Sequence, residues 1–289
     1  MREVRVSEIV DLTAKLCMDA NYILSDDIGR ALQRWERDEE SPIGRSVIAS
    51  IIENAAIAAE ERVPFCQDTG VTVVFFEMGT GVRIAADGAQ ERPGELDLEA
   101  AINEGVRRGY TEGFLRKSVV RCPGERVNSG DNTPAVIHYS IVKGDRVKIT
   151  VAPKGFGSEN MSALKMLTPA DGIAGVKKFV INTISSAGGN PCPPIIVGVG
   201  IGGTMEKCAL LSKQALLRPV GSANVSPFWQ GIESELLEEI NALGIGPMGY
   251  GGRATALAVH IEPFGTHIAG LPVAVNIGCH ATRHAEGTL

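Results

Sequence analysis

Residues 194–217 read PIIVGVGIGGTMEKCALLSKQALL, and this stretch sets the fold class. The apolar run at 194–200 is strand-sized, glycines punctuate its end, and 204–217 carries a helical pattern. Upstream, 172–187 reads as a helix feeding that strand. Downstream, 232–243 reads as an acidic helix, and 255–261 and 271–277 as apolar strands. Helix alternating with apolar strand predicts a mixed α/β (α+β) fold. The first third reads as helical. Residues 6–20 place Ile9, Val10, Leu12, Leu16 and Cys17 near one face. Ser41-Pro42 then supplies an N-cap and a first-turn proline for a long helix over 47–59, which Pro64 closes. A strand at 72–76 leads into a loop punctuated by Gly79, Gly81 and Gly88. A helix follows at 98–109, and then a hairpin over 135–151 turning at Lys143-Gly144-Asp145. With no repeat, low-complexity tract or linker in view, the expectation is a single domain over 1–289. Residues 1–62 would be mainly helical and 63–289 a mixed sheet with packed helices, its site at loop ends.

Composition narrows the function classes. The 289 residues are 44% hydrophobic and 21% charged, enough apolar content for a sizeable core. A net charge of −6 with no Lys/Arg run argues against a nucleic-acid partner, which needs a basic stripe. No window approaches a membrane span, and the N-terminus lacks an apolar signal core, so a cytoplasmic protein is expected. In that compartment six cysteines are expected as thiols or metal ligands, not disulfides.

Two glycine clusters invite a ligand. Gly198-Val-Gly200-Ile-Gly202-Gly203 satisfies G-x-G-x-x-G after a strand and before a helix, the context of a dinucleotide loop. Yet the expected acid some 20 residues on is missing, and Pro219-Val-Gly-Ser-Ala-Asn-Val-Ser stands where a second strand belongs. A tight turn, or a carboxylate site at a helix N-terminus, are the other readings. Lys154-Gly-Phe-Gly157-Ser158 is a second such loop, either a plain turn or a close backbone approach to a ligand.

Three of the six cysteines occupy ends of secondary elements. Cys66 lies in Pro64-Phe-Cys66-Gln67-Asp68-Thr69-Gly70, Cys192 in Asn190-Pro-Cys192-Pro-Pro194, and Cys279 in Gly278-Cys279-His280. Cys17 and Cys208 fall on helices among apolar neighbours and read as core; Cys122, before a Pro-Gly turn, is undecided. No C-x-x-C pair exists, which argues against a compact zinc ribbon, and spacing alone does not select a metal site.

Five ordered blocks resemble a known family: Pro64-Phe-Cys66-Gln-Asp-Thr-Gly70, Val127-Asn-Ser-Gly-Asp-Asn-Thr-Pro134, Pro191-Cys192-Pro-Pro194, Ile201-Gly-Gly-Thr-Met-Glu206 and Asn276-Ile-Gly-Cys279. They are similar to class I (iron–sulfur) fumarate hydratases and the related L(+)-tartrate dehydratases, specifically to the alpha subunit of the two-subunit form. The resemblance implies a [4Fe–4S] cluster on Cys66, Cys192 and Cys279 with one open iron, acting on a small dicarboxylate. Three thiolates leave that iron free to coordinate substrate, which a fully ligated cluster cannot do. It also implies that Gln67, Arg116 and Gly157 bind substrate, and that Asp68 and His267 transfer protons. His267 would reach across a dimer interface. Without the resemblance, Asp68 reads as an Asx-turn and His267 as a solvated loop. The implied reaction is reversible hydration of fumarate to (S)-malate, with tartrate dehydration as its rival. The sequence ends ten residues past Cys279. A separate beta subunit is therefore expected to complete the site, in a dimer of heterodimers, with the chain inactive alone. The 79–93 segment has no functional reading.

Overall fold

The computed structural model describes residues 1–87 and 97–289; the turn expected at Gly88 and the rest of the 79–93 segment beyond it lie outside the described residues. In chain order run β1 (Arg2–Arg5), α1 (Val6–Tyr22), α2 (Asp26–Asp38), α3 (Pro42–Glu61), β2 (Val71–Gly79), β3 (Val82–Ala85) and α4 (Leu98–Glu112). Next come β4 (Val136–Val142), β5 (Val147–Lys154), α5 (Phe156–Glu159), β6 (Ala163–Leu167) and α6 (Gly172–Ala187). The chain closes with β7 (Ile195–Ile201), α7 (Met205–Ala215), α8 (Pro227–Asn241), β8 (Ala256–Pro263), β9 (Leu271–Gly278) and β10 (Ala285–Thr288). The fold is mixed α/β with a helical N-terminal part, as expected. Contacts gather into two compact units with interleaved segments. The first comprises Met1–Leu24, Ile57–Gly155 and Arg283–Leu289, the second Ser25–Ala56 and Phe156–Thr282.

In the first unit β1 pairs in parallel with β3, and a four-stranded sheet runs β10-β5-β2-β4. β2 is antiparallel to β5 and parallel to β4, so the hairpin expected over 135–151 does not form: β2 lies between its two arms. The cause is apolar content. β2 (VTVVFFEMG) buries residues 72–76 without a break and takes a central place, whereas β4 is largely exposed and sits at the edge. Val74 and Phe76 of β2 join Ile149 and Val151 of β5 in a core closed by Ile9 and Leu16 of α1 and Ile102 and Val106 of α4.

In the second unit the sheet runs β6-β9-β7-β8, with β7 parallel to β8 and antiparallel to β9. Side chains of a strand alternate between faces. Val197, Val199 and Ile201 therefore point together, into a core with Val180 and Ile184 of α6 and Leu236 and Ile240 of α8. The other face carries Gly198 and Gly200, and α7 lies directly on it. A Cβ at Gly198 would stand 2.1 Å from the Ser212 carbonyl oxygen, and one at Gly200 2.0 Å from that of Cys208. This overturns the dinucleotide-loop reading. The two glycines lie inside a strand beneath a helix, and no strand follows α7 before α8.

The α2–α3 junction is held by Glu39, fully buried, whose carboxylate accepts the N–H groups of Ser41 (2.9 Å), Arg253 (2.9 Å) and Ala254 (2.7 Å). Burial opposes its charge, but these amides outweigh that and hold its carboxyl below the usual range. Ser41 caps α3 as expected, its Oγ accepting Gly44 N–H at 3.1 Å.

His260 on β8 is buried, with Nδ1 3.1 Å from the Ala215 carbonyl oxygen. Burial, aided by the nearby Arg218 charge, pushes its pKa down to about 4 from an ordinary 6.5. Between those values the unfolded chain binds a proton that the folded one refuses. Stability is therefore expected to be complete above pH 6.5 and to fall by about 2–3 kcal/mol as pH drops to 4. Denaturant midpoints across that range should show a shallower fall for His260→Gln. An unchanged slope in that variant would reject the assignment.

Candidate active site

The 66–70 turn leaves α3 and enters β2 in the first unit. Phe65 N–H donates to the Asn21 carbonyl (3.1 Å), and the fully buried Tyr110 hydroxyl donates to that of Thr69 (2.6 Å). Asp68 Oδ1 accepts Gly70 N–H at 3.1 Å, the Asx-turn its sequence context allowed. Arg283, also buried, donates to the Asp68 carbonyl and lays its guanidinium over the Phe65 ring, 5.4 Å from the centroid. Thr69 Oγ1 donates to the Arg116 carbonyl at 2.7 Å. These bonds bring Arg116 beside the turn that carries Cys66, Gln67 and Asp68. Cys66 and Asp68 are half-buried, while Gln67 and Arg116 are exposed.

In the second unit Cys192 precedes β7 and Cys279 follows β9. Because those strands are antiparallel, both residues stand at one end of the sheet. The two loops touch: the His280 backbone N–H and its Nδ1 each lie 3.1 Å from the Cys192 carbonyl oxygen. A carbonyl only accepts, so the His280 proton sits on Nδ1. Cys192 has φ +57°, a left-handed conformation that a non-glycine residue keeps only when its surroundings enforce it. The enforcing contacts are Cys192 N–H to the Gly189 carbonyl (3.0 Å) and Met248 N–H to the Pro193 carbonyl (2.8 Å). Gly157, exposed on α5, belongs to the same end. A Cβ there would meet nothing nearer than the Asn190 carbonyl oxygen at 3.9 Å, so packing does not demand this glycine.

His267 is placed elsewhere. It lies in the exposed 264–270 loop at the opposite end of the sheet, where Gly203 N–H donates to the Gly265 carbonyl (3.1 Å). β9, eight residues long, separates it from Cys279 by about 25 Å at the rise of a strand. Its Nδ1 accepts the Ala269 N–H at 3.1 Å, leaving the neutral ring's proton on Nε2.

The remaining thiols sort by burial. Burial pushes the Cys17 thiol up to about 12 and raises Cys208 as well, so both keep their protons in the core as expected. Cys122, on a surface turn, is held below the usual thiol range by the backbone N–H groups of Glu125 and Gly124. None of the six forms a disulfide. Among the described residues no three His, Cys, Asp or Glu side chains form a group that could hold a metal ion. Among them too, no helix is long and apolar enough to cross a membrane.

Sequence reasoning did not single out Thr69, Tyr110, Asn132 or Arg283, which shape the 66–70 turn and its neighbourhood. Each binds backbone groups remote in sequence, so no local pattern marks it. The signal present was the block Val127-Asn-Ser-Gly-Asp-Asn-Thr-Pro134, which contains Asn132.

A family model described as fumarate hydratase (Fumerase) matches residues 10–288. A protein of Methanocaldococcus jannaschii, provisionally named L(+)-tartrate dehydratase subunit alpha, is 43% identical over 282 residues, 96% of each chain. The L(+)-tartrate dehydratase subunit alpha of Escherichia coli is 32% identical over 292 residues, covering 100% of this chain and 92% of its own. That of Shigella sonnei matches to the same extent.

Proposed function

The chain belongs to the fumarate hydratase family, and from that premise we propose that it is the iron–sulfur alpha subunit of a two-subunit hydro-lyase that reversibly hydrates fumarate to (S)-malate. The observation carrying this is the family match over residues 10–288. Dehydration of L(+)-tartrate is the second reading, favoured by the names of the relatives. Both reactions remove or add water beside a carboxylate, and both suit a cytoplasmic enzyme.

Cys66, Cys192 and Cys279 are the proposed ligands of a [4Fe–4S] cluster. Their chemistry fits: all three are partly exposed thiols on turns, whereas the buried thiols lie on helices. Cluster thiolates bind separate irons and need not converge on one point as ligands of a single ion do. When bound, the cluster supplies a Lewis-acidic iron with an open position that polarises a hydroxyl.

The chain's own residues bind, orient and move protons. Arg116 grips a substrate carboxylate with two parallel N–H···O bonds, and Gln67 and Gly157 add single contacts. Asp68 and His267 exchange the proton at C3. The Asx-turn holds the Asp68 carboxylate in place before substrate arrives, and His267 presents Nε2. With about 25 Å of strand between His267 and Cys279, His267 serves the site of a second copy, which favours a dimer of heterodimers. A separate beta subunit supplies the remaining cations and the catalytic hydroxyl.

The test is anaerobic preparation of the chain with and without its beta partner, assayed on fumarate, (S)-malate and L(+)-tartrate. The paired enzyme should hold about four irons per alpha chain and turn over a dicarboxylate, while the lone chain turns over none of the three. A paired, iron-loaded enzyme inert on all three acids would refute the proposal.

A further inference from the structure

Asn132 is fully buried at φ +63° and has no part in the chemistry above. Its side-chain amide makes three hydrogen bonds to backbone. Oδ1 accepts Ser118 N–H at 2.8 Å and Val119 N–H at 3.2 Å, and Nδ2 donates to the Gly70 carbonyl at 3.1 Å. Gly70 closes the turn that begins at Cys66, and Ser118 is two residues past Arg116. One amide therefore joins the proposed carboxylate-binding segment to the proposed cluster-binding turn. Accepting at one atom and donating at the other requires a carboxamide, and the left-handed backbone favours the shorter Asn over Gln.

The Arg116 segment needs such a tie. Residues 115–119 belong to no helix or strand. Their ends are fixed by Leu115 N–H on the Tyr110 carbonyl (3.0 Å) and Ser129 N–H on the Val119 carbonyl (2.8 Å). Between them the segment is held by the Thr69 hydroxyl on the Arg116 carbonyl (2.7 Å), Asn128 Nδ2 on that of Lys117 (2.8 Å), and Asn132. A bidentate guanidinium–carboxylate pair tolerates little displacement, so the backbone beneath Arg116 has to be fixed before substrate binds.

We propose that Asn132 is a positioning residue, coupling the Arg116 backbone to the 66–70 turn and so setting where the guanidinium meets the substrate carboxylate. The identity of that ligand rests on the function proposed above. The experiment uses the two-chain enzyme. Asn132→Asp tolerates the left-handed backbone and keeps the acceptor for Ser118 and Val119, but faces the Gly70 carbonyl with an oxygen. Asn132→Gly fits the backbone and removes both ties. For Asn132→Asp, KM is expected to rise about tenfold with kcat within about threefold and iron content unchanged; the glycine variant should exceed it. In an Arg116→Ala background the same Asn132→Asp change should alter KM by less than about twofold, because the group that Asn132 positions is gone. Additive KM effects in that background, or a kcat falling in step with lost iron at constant KM, would overturn the proposal. If the wild-type enzyme acts on no dicarboxylate, it is the functional reading that fails. Amide exchange at Ser118 and Val119 then decides: about tenfold faster in Asn132→Gly supports the tie, and no change overturns it.

Discussion

Replacing Cys192 by serine or alanine in the two-chain enzyme is expected to strip iron from the protein and lower kcat by at least about 10³-fold. The loss follows from the proposed ligand role: a Lewis acid contributes several kcal/mol to the barrier, and two thiolates hold a cluster poorly. Serine is the cleaner change. It preserves the size of a side chain at φ +57°, so the turn keeps its bonds to Gly189 and His280. Iron content, visible absorbance and turnover should fall together, and the same should hold for Cys66 and Cys279. Cys122→Ala, on its surface turn, serves as the control that retains both iron and activity. Full iron loading in Cys192→Ser would remove this residue from the ligand set.

Gly200→Ala is the second large effect. The added methyl would meet the Cys208 carbonyl oxygen at 2.0 Å, and that oxygen belongs to the backbone of α7, which cannot step aside alone. Either α7 lifts from β7 or β7 bends within its sheet. We expect a loss of about 3 kcal/mol or more, seen as a Tm roughly 10 °C lower. Gly198→Ala should behave alike, against the Ser212 carbonyl. A phosphate-binding loop predicts the reverse: unchanged stability and weakened nucleotide binding. Thermal unfolding of the two variants separates these outcomes, and a Tm within about 2 °C of wild type would show that the glycines do not serve packing.

What the sequence disclosed, and what it hid, follows from the range of the forces involved. Helices α1, α3 and α6 and strands β7 and β9 were readable because one apolar face or run declares them locally. α2 (DDIGRALQRWERD) has no bounds legible within the helical first third, because it buries only Ile28, Ala31 and Leu32 among charges. The hairpin expected over 135–151 does not form because β2, far upstream, takes the place between two strands that are adjacent in sequence. Division into two units left no linker to find, since the chain crosses between them after Leu24, Ala56, Gly155 and Thr282. Within the site, turn contexts separated Cys66, Cys192 and Cys279 from the helical Cys17 and Cys208, and resemblance chose among the rest. Asn132 stayed hidden because its partners, Gly70 and Ser118, are brought to it only by folding.

The antiparallel run of β7 and β9 puts Cys192 and Cys279 at one end of a sheet and His267 at the other. On the proposed mechanism each copy lends His267 to a neighbour and borrows one in return. A copy with a damaged 264–270 loop keeps its own cluster yet silences the site beside it. In a cell expressing both kinds of damaged copy, one with a lost loop and one with a lost cysteine, the two lesions would complement each other, since their mixed dimer joins the intact cluster of the first copy to the intact His267 of the second.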